Sequence, residues 1–412
     1  MVNRFSSYQE FTAHLADREF FGQKLGLERI QGLLDRLGNP EKRFRSIHIA
    51  GTNGKGSTAA MIASILKEAG FRVGLYTSPH LQDFCERVQI FSDKISPEQV
   101  LHYARIIHEV EAPNDPLTFF ELATAIAFLH FAEAKVDVAV IEVGMGGRLD
   151  ATNVITPLVS VITTIGLDHT QYLGGTIEKI AFEKGGIIKK GVPVVTGQLA
   201  HEAMKVIEKV AVVHGSEVIT SFAPIANRDR DRAPALPGSH QLQNASVAVV
   251  VIEELGRQGW SIPDTAISEG LRNVRWPGRL ETVQERPWIL LDGAHNPQAM
   301  AAVRRFLETT LEGRRLKVLF AAMGDKNSEG MLAEITPIGA SPLVSEFFFT
   351  SLPLKRAADP YDLFKWVKSL ARVITPAKKA FQFVKESLKE DEVFLVTGSF
   401  YLIGEVKKCL EG

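Results

Sequence analysis

The sequence contains only two cysteines, Cys85 and Cys409, among its 412 residues. A small secreted scaffold held together by disulfides needs more cysteines, and structural zinc sites and thiol redox sites usually contain a CxxC pair, which this chain lacks. These absences favour a reducing compartment. We therefore expect a cytoplasmic protein.

Long apolar runs are absent as well. The longest, around residues 123–131 and 246–252, have about half the roughly 20 residues that a membrane-spanning helix requires. The first segment, MVNRFSSYQEFTAHLADREFF, carries charges throughout and lacks the apolar stretch of a secretory signal peptide. We expect neither export nor attachment to a membrane.

An excess of charge of one sign is also missing. Lys and Arg total 47 against 48 Asp and Glu, which gives a net charge of -1 and no bulk electrostatic attraction for nucleic acid. The partners that we expect are small molecules, and we expect a monomer. With 45% hydrophobic residues, a chain of this length can bury two domain cores.

The apolar pattern alternates short β-branched runs with helix-like stretches, which predicts parallel sheets covered by helices. A first series contains SIHIA, RVGLY, DVAVIEV, LVSVITTI and VPVVTG, and a second contains WILLDG, KVLFAAM, EFFFT and VFLVTGS. We predict one α/β domain over residues 1–274 and a smaller one over 286–412. Residues 275–285 show no sustained period and are predicted to be a linker.

The segment SIHIAGTNGKGST runs from an apolar strand through a glycine-rich turn into a helix-compatible stretch. Gly51, Gly54 and Gly56 allow backbone N–H groups to approach a polyphosphate, and the start of the following helix adds partial positive charge. Lys55 supplies a full charge, and the Ser57 hydroxyl suits Mg²⁺. The spacing departs from GxxxxGK[ST], because Gly56 precedes the serine. The pattern predicts a nucleoside triphosphate site, with a tight turn that binds nothing as the alternative.

Further blocks follow this loop in both predicted domains: LYTSPHL, VIEVGMGGRLDATN, GLDHTQYLG, FEKGGI, PGRLE, DGAHNP and VTGSF. Together with GTNGKGST they resemble the folylpolyglutamate synthases and dihydrofolate synthases of the Mur ligase superfamily. The resemblance implies a P-loop-type, mostly parallel sheet domain followed by a Rossmann-like domain. It also implies ATP- and Mg²⁺-dependent ligation of L-glutamate to a folate, and to dihydropteroate, through an acyl phosphate.

The resemblance implies a metal site with two ions. Its ligands would be Ser57, Glu142 at the end of VDVAVIEV, His169 in GLDHTQ and, if carbamylated by carbon dioxide, Lys184 in FEKGGI. Glu142 is favoured independently, because ligands bind at the carboxyl ends of strands in open α/β sheets. The alternatives are an ordinary strand-end charge at Glu142, a structural His169 and a solvated helical Lys184.

The resemblance also assigns ATP-binding and catalytic residues. The expected ATP ligands are Gly51, Thr52, Asn53, Gly54, Lys55, Gly56, Ser57, Thr58, Asn244, Arg279 and Asp292. The expected catalytic residues are Lys55, His169, Lys184, Arg279, Asp292 and His295. Arg279 would reach the phosphates when the domains come together; a surface linker charge is the alternative. Asn244 has an alternative as the N-cap of the helix NASVAVVVIEEL.

Two groups of residues are implied to bind the pterin substrate: Ser78, Pro79 and His80 in a loop, and Thr118, Phe120 and Asp150 around the ring. An aromatic face suits a flat heterocycle, and a nearby carboxylate suits its N–H donors, although Phe120 has an alternative as a core residue. Phe119 stands where tyrosine is familiar in bifunctional enzymes. Alternatives to the bifunctional enzyme are a monofunctional folylpolyglutamate synthase, a Mur-type amino-acid ligase and a nucleotide switch protein that performs no ligation.

Overall fold

The computed structural model describes residues 5–19, 26–112, 114–221, 232–336, 344–367 and 370–411. The chain divides into two compact units. The first comprises residues 1–235 and 242–274, and the second comprises residues 236–241 and 275–412. Among the described residues, no helix combines the length and the apolar character needed to cross a membrane.

The first unit is built on an eight-stranded sheet with the order β4-β3-β2-β5-β1-β6-β7-β8. Its strands are β1 (Arg45–Ala50), β2 (Val73–Tyr76), β3 (Val88–Ile90), β4 (Asp93–Lys94), β5 (Val138–Glu142), β6 (Val159–Ile162), β7 (Val194–Thr196) and β8 (Val218–Thr220). The sheet is parallel from β2 to β8, and β3 and β4 form an antiparallel edge. Because β1 pairs with β5 and β6, the segment that follows β1 starts near the middle of the carboxyl edge.

Helices cover this sheet, and several begin at sequence-encoded caps. They are α1 (Tyr8–Glu19), α2 (Glu28–Arg36), α3 (Lys55–Glu68), α4 (Pro97–Val110), α5 (Phe119–Glu133), α6 (Thr170–Leu173), α7 (Ile177–Gly185), α8 (His201–His214), α9 (Ser239–Arg257) and α10 (Asp264–Asn273). Ser96 and Gln99 form a capping box at α4, and Thr118 and Glu121 form one at α5. Helix α5 is apolar on nearly all sides, and Phe128 has no exposed surface in the core.

The second unit contains a six-stranded sheet with the order β13-β12-β11-β14-β10-β9. Its strands are β9 (Glu281–Gln284), β10 (Trp288–Asp292), β11 (Arg315–Phe320), β12 (Val344–Phe349), β13 (Ala371–Val373) and β14 (Glu392–Thr397). Its helices are α11 (Pro297–Thr310), α12 (Ser328–Ile335), α13 (Pro360–Phe364), α14 (Ala377–Glu386) and α15 (Phe400–Glu411). All strands are parallel except β9, which pairs antiparallel with β10. Strand β9 lies inside the segment predicted to be a linker, so that part of the segment belongs to the sheet.

The predicted fold class is confirmed: a mostly parallel sheet follows the pattern of the first series, and a second α/β unit follows the pattern of the second. The apolar runs became β1, β2, β5, β6 and β7 in the first unit. In the second unit, helices begin at Pro297 and Pro360, where proline suits a first helical position. The parallel pairing places the strand-end residues at the carboxyl edges of the two sheets.

Candidate active site

The glycine-rich loop joins β1 to α3 at the carboxyl edge of the first sheet. Gly54 precedes α3 with a φ of 85°, in the left-handed region, and a Cβ there would clash with Asn244 Oδ1. A Cβ on Gly51 would clash with Thr163 Oγ1. Both positions therefore require glycine, because side chains from α9 and from the end of β6 pack directly on the loop.

Hydrogen bonds from the segment after β6 hold the glycine-rich loop in place. Thr163 Oγ1 donates to the Asn53 carbonyl at 2.6 Å, and Thr164 Oγ1 donates to the same oxygen at 3.0 Å. The Asn53 N–H donates to Thr164 Oγ1 at 2.9 Å, and the Gly166 N–H donates to Thr52 Oγ1 at 3.0 Å. Sequence reasoning missed these two threonines, although their position at the end of the run LVSVITTI was the available signal.

Lys55 and Lys184 converge on one carbonyl oxygen. Lys55 Nζ donates to the Gly51 carbonyl at 3.0 Å, and Lys184 Nζ donates to it at 2.9 Å. Lys184, in the last turn of α7, is only 4% exposed, which excludes the solvated alternative. Burial and the Lys55 charge lower the pKa of Lys184 to about 7, against the opposing effects of Asp168 and Asp150. A large share of Lys184 is therefore a neutral amine at neutral pH.

Glu142 ends β5, as the sequence pattern indicated, and its side chain is buried. Its Oε2 accepts a hydrogen bond from the Ser78 N–H at 3.1 Å, so the SPHL loop reaches this strand-end carboxylate. In the same loop, His80 Nδ1 accepts from Arg87 Nε at 2.8 Å. The Arg87 guanidinium lies 4.9 Å from the centroid of the Phe119 ring. The structure thus brings Ser78, predicted for substrate, beside Glu142, predicted for metal.

His169 precedes α6 and is partly exposed. The backbone N–H of His169 donates to Asp168 Oδ1 at 2.9 Å, and the ring Nε2 lies 4.0 Å from the same oxygen. The charge of Asp168 also opposes the lowering of the Lys184 pKa, so Asp168 acts on both His169 and Lys184. Sequence reasoning missed Asp168, which stands next to the histidine in GLDH.

Thr118 and Phe120 lie at the start of α5. Thr118 is the N-cap: its Oγ1 accepts from the Glu121 N–H at 3.3 Å, and Glu121 Oε2 accepts from the Thr118 N–H at 2.8 Å. The centroid of the Phe120 ring lies 6.0 Å from that of the Tyr76 ring. The Phe120 ring also packs against Gly144, so closely that a Cβ at position 144 would clash with it. Phe120 therefore contacts the loop that follows β5.

Asp150 lies at the other end of this loop, as the N-cap of the 3-10 helix Ala151–Val154. Its Oδ1 accepts hydrogen bonds from the Thr152 N–H at 3.0 Å and from the Thr152 hydroxyl, and its Oδ2 accepts from the Met145 N–H at 2.9 Å. Burial raises the pKa of Asp150 against the lowering effect of these bonds. The Asp150 side chain therefore organises residues 144–152.

Asn244 lies inside α9, well after its first residue, Ser239. The alternative role of Asn244 as the N-cap of this helix is wrong, because the helix begins earlier than the apolar pattern indicated. The side chain is buried against Gly54. It lines a polar cleft with Gln198, Ser221 and other residues, whose amide and hydroxyl groups can hydrogen-bond the edge of a base.

In the second unit, Asp292 ends β10 at the carboxyl edge. Its Oδ2 accepts from the Leu280 N–H and its Oδ1 accepts from the Ala294 N–H, both at 2.8 Å. Burial raises the pKa of Asp292, and the charge of Arg279 opposes this shift. The Arg279 guanidinium lies 4.4 Å from the centroid of the Phe400 ring. Arg279 is therefore held by an aromatic face rather than loose in a linker.

His295 contacts the same ring. Its Nδ1 lies 3.0 Å from the Gly293 carbonyl oxygen, and its ring centroid lies 5.4 Å from that of Phe400. Arg279, Asp292 and His295 thus form one cluster within the second unit, together with Phe400, which lies more than 100 residues later in the chain. Sequence reasoning missed Phe400, although it belongs to the VTGSF block.

The comparisons with known proteins cover both units. Residues 49–223 match the Mur ligase middle domain, and residues 278–400 match the glutamate ligase domain of Mur ligases. The chain is 37% identical over 441 aligned positions to the dihydrofolate synthase/folylpolyglutamate synthase of Bacillus subtilis, covering 99% of this chain and 100% of the relative. The chain belongs to the dihydrofolate synthase/folylpolyglutamate synthase family. It is an ATP-dependent ligase of the Mur type, as the sequence blocks predicted.

Solved structures of family members resemble this chain over nearly its whole length. E. coli FolC in complex with DHPP and ADP gives a TM-score of 0.89 at 28% identity, covering 98% of each chain. A bifunctional folylpolyglutamate synthase/dihydrofolate synthase with Mn, AMPPNP and L-glutamate bound gives 0.88 at 32% identity, covering 99% of this chain and 98% of that one. The predicted α/β architecture therefore agrees with that of the family.

The donor set of this family member fits a hard cation. Ser57, in the first turn of α3, and Glu142 are both buried and offer hydroxyl and carboxylate oxygens, which Mg²⁺ prefers. In the described part of the chain, no three His, Cys, Asp or Glu side chains are grouped to hold a metal. A metal here would need ligands of other kinds, such as a hydroxyl, a modified lysine or phosphate oxygens.

Proposed function

We propose that this enzyme uses ATP and Mg²⁺ to join the α-amino group of L-glutamate to the carboxylate of folates and of dihydropteroate, releasing ADP and phosphate. The observation that carries the proposal is the phosphate loop at the carboxyl edge of the first sheet, where Lys55 and Lys184 converge on Gly51. The ADP, AMPPNP, L-glutamate and DHPP held by the solved relatives support the substrate classes.

The reaction needs activation of a carboxylate, because a carboxylate does not react with an amine at neutral pH. A carboxylate oxygen attacks the γ-phosphorus, ADP leaves, and the neutral amine of glutamate then displaces phosphate from the acyl phosphate. The protein contributes positioning and electrostatic stabilisation. We assign the N–H groups of residues 51–58 and Lys55 to the phosphates, Asn244 to the base, and the cluster of Arg279, Asp292 and His295 to the ribose and phosphates.

We assign Mg²⁺ ligation to Ser57, Glu142 and His169, and a second ion to Lys184 after carbamylation. The ions would neutralise charge on the phosphate oxygens. Burial of Lys184 and its lowered pKa support this assignment, because the neutral amine nitrogen can attack carbon dioxide, lose a proton and become an anionic carbamate. A carbamate oxygen would then replace an ammonium group, which cannot ligate a cation.

We place the pterin ring between the first turn of α5 and the loop of residues 144–150. Phe120 packs on Gly144 at one end of this loop, and Asp150 organises the other. Thr118 caps α5 beside Phe120, and the loop that contains Ser78, Pro79 and His80 reaches Glu142 nearby. These contacts support the assignment of the substrate to this part of the first unit.

We further propose that the two units are the functional domains, with the second starting at residue 275 rather than 286, and that the enzyme works as a monomer in the cytoplasm. In the first unit, the two lysines contact the phosphate loop that follows β1, and the neighbouring strand β5 ends at Glu142. The second unit has its own cluster around Phe400. Cys85 and Cys409 are free thiols, which suits a reducing compartment.

The test measures ADP release with L-glutamate and either dihydropteroate or tetrahydrofolate, and identifies the amide products. We expect turnover to require the pterin acid and glutamate together, with dihydrofolate formed from dihydropteroate. Extension of tetrahydrofolate without dihydrofolate formation would indicate the monofunctional enzyme. Amide formation only with a cell-wall nucleotide would indicate the Mur-type alternative, and ATP hydrolysis without any amide would indicate the nucleotide switch.

Asp150→Ala tests the pocket. Because Asp150 holds both Met145 and Thr152, we expect this variant to impair dihydropteroate more than glutamylated folates, which also bind through their tails. The ratio of kcat/KM values for the two substrates measures the effect. Equal loss of both activities would show that Asp150 is not a selective anchor of the pterin.

A further inference from the structure

His48 lies within β1, shortly before the phosphate loop, and has no exposed surface. It stands opposite Ile141 on β5 and Ser160 on β6 in the centre of the first sheet. Its Nε2 lies 2.8 Å from Thr152 Oγ1, and its Nδ1 is buried without a hydrogen-bond partner. A buried polar atom without a partner opposes folding, so an apolar residue would fill this position at lower cost. None of the catalytic steps described above uses His48.

The hydrogen bonds around Thr152 have a definite direction. Both Asp150 oxygens accept from backbone N–H groups, and the Thr152 hydroxyl donates to Asp150 Oδ1. The lone pair of Thr152 Oγ1 then accepts from the Nε2–H of His48. Burial and the Lys189 charge lower the pKa of His48 to about 3, so the imidazole is neutral and carries a single N–H. This assignment places that proton on Nε2 and leaves Nδ1 unprotonated.

We propose that His48 is a positioning residue for the pterin pocket, acting through Thr152 to fix the carboxylate of Asp150. Asp150 in turn holds the N–H of Met145, and the loop that contains Met145 begins at Gly144, against Phe120. His48 itself contacts no substrate. The inference rests on the proposed function, because it assigns the 144–150 loop to the pterin.

Two other roles for His48 make different predictions. If the imidazole only fills space in the sheet, its replacement changes stability without changing substrate affinity. If it supports the phosphate loop that follows β1, its replacement raises the KM for ATP. The proposed role instead raises the KM for the pterin substrate, and most strongly for dihydropteroate, whose binding depends on the ring.

The experiment compares two matched pairs of variants. His48→Leu removes the donor, whereas the side-chain amide of Gln in His48→Gln can place an N–H near the Nε2 position. Thr152→Val removes the hydroxyl, whereas Thr152→Ser keeps it. Ser160→Ala is the control, because Ser160 is a buried polar neighbour on β6 that bonds the Ile187 carbonyl instead.

We expect His48→Leu and Thr152→Val each to raise the KM for dihydropteroate about five- to tenfold, the effect of losing one hydrogen bond in a network. The KM for ATP should stay within about twofold, and His48→Gln, Thr152→Ser and Ser160→Ala should resemble wild type. Because the two residues act in series, the double variant should be no worse than the more impaired single variant.

An unchanged KM for dihydropteroate in His48→Leu and Thr152→Val would overturn the inference, as would a raised KM for ATP or effects that multiply in the double variant. If His48→Leu does not fold, the Thr152 pair decides the outcome. Failure of the wild type to form an amide would instead refute the proposed function. In that case ¹⁵N NMR of the His48 ring still tests the hydrogen-bond chain, and a proton on Nδ1 would disprove it.

Discussion

Lys184 has a different acid–base chemistry here from that of a lysine in water. Its side chain is buried beside Lys55, and its ammonium donates to the Gly51 carbonyl at the carboxyl edge of the first sheet. Taking the charge out of water lowers its pKa to about 7. Burial of the charged form destabilises the folded state, and it produces an amine that can lose its proton near neutral pH.

The first prediction concerns stability against pH. The pKa of Lys184 is about 7 in the folded chain and close to the ordinary lysine value of 10.5 when unfolded, so the unfolded state binds more protons between these values. The free energy of unfolding should therefore rise by about 2 kcal/mol between about pH 7 and pH 9, relative to Lys184→Met. Below about pH 6 the two proteins should differ by a constant amount. Urea titrations in metal-free, carbon-dioxide-free buffer measure this difference, and parallel curves above pH 7 would contradict it.

The second prediction concerns carbamylation. Enzyme depleted of carbon dioxide should lose activity and recover it on addition of bicarbonate, because only the neutral amine of Lys184 reacts. Lys184→Ala should be weakly active and insensitive to bicarbonate. Rates measured with and without bicarbonate provide the comparison, and equal wild-type rates would argue against the modification.

The third prediction concerns Lys55. Lys55→Ala should lower kcat/KM by about 10²- to 10³-fold, because it removes a preorganised charge from the phosphates. Its fold should persist, since the change empties no core position. Lys67→Ala, on the exposed end of the same helix, is the matched control. Near-normal turnover of Lys55→Ala would contradict the assignment of this loop to the phosphates of ATP.

The strand-loop-helix element of β1 and α3 is defined by contacts with its neighbours. The Asn53 carbonyl accepts from Thr163 and Thr164, and Gly54 lies against Asn244. The element therefore depends on the segment after β6 and on α9 for its shape. A rigid loop keeps its N–H groups oriented for phosphate without ordering them at the moment of binding.

The fourth prediction separates backbone strain from contact in this element. Gly54 and Gly70 both have positive φ values, but a Cβ on Gly54 would meet Asn244, whereas a Cβ on Gly70 would meet open space. Backbone strain should cost both Gly→Ala variants about 1 kcal/mol of stability, and the clash with Asn244 should increase the loss in Gly54→Ala. Only Gly54→Ala should raise the KM for ATP, by about tenfold or more. Chemical denaturation and ATP saturation curves test this, and an unchanged KM in Gly54→Ala would show that the contact does not shape the site.

At the scale of the whole molecule, each unit carries its own cluster of predicted site residues. The first contains the phosphate loop and the two lysines, and the second contains Arg279, Asp292 and His295 around Phe400. Both clusters lie where parallel strands end, because that edge presents loops from neighbouring strands together. Ligation by this family member needs both clusters under the proposed function.

The fifth prediction follows from this division. Arg279→Ala should lower kcat by more than it raises the KM for ATP, if the arginine acts on the phosphates only when the domains close. Arg286→Ala, an exposed arginine close by in the chain, is the control. Steady-state kinetics at saturating substrates decide the matter, and an unchanged maximal rate for Arg279→Ala would refute this role.

The sequence by itself determined the parallel α/β architecture, the phosphate loop and the strand-end position of Glu142. These follow from local patterns, because apolar period, glycine content and proline position act over a few neighbouring residues. Only the tertiary structure decided the lowered pKa of Lys184 and the position of the Phe400 ring beside Arg279. It also decided the hydrogen bonds from Thr163 and Thr164 to the phosphate loop and those that link His48 to Asp150 through Thr152. Each depends on residues that are distant in sequence and that the order of the strands brings together. Burial and hydrogen bonding depend on separation in space, which local sequence patterns do not specify.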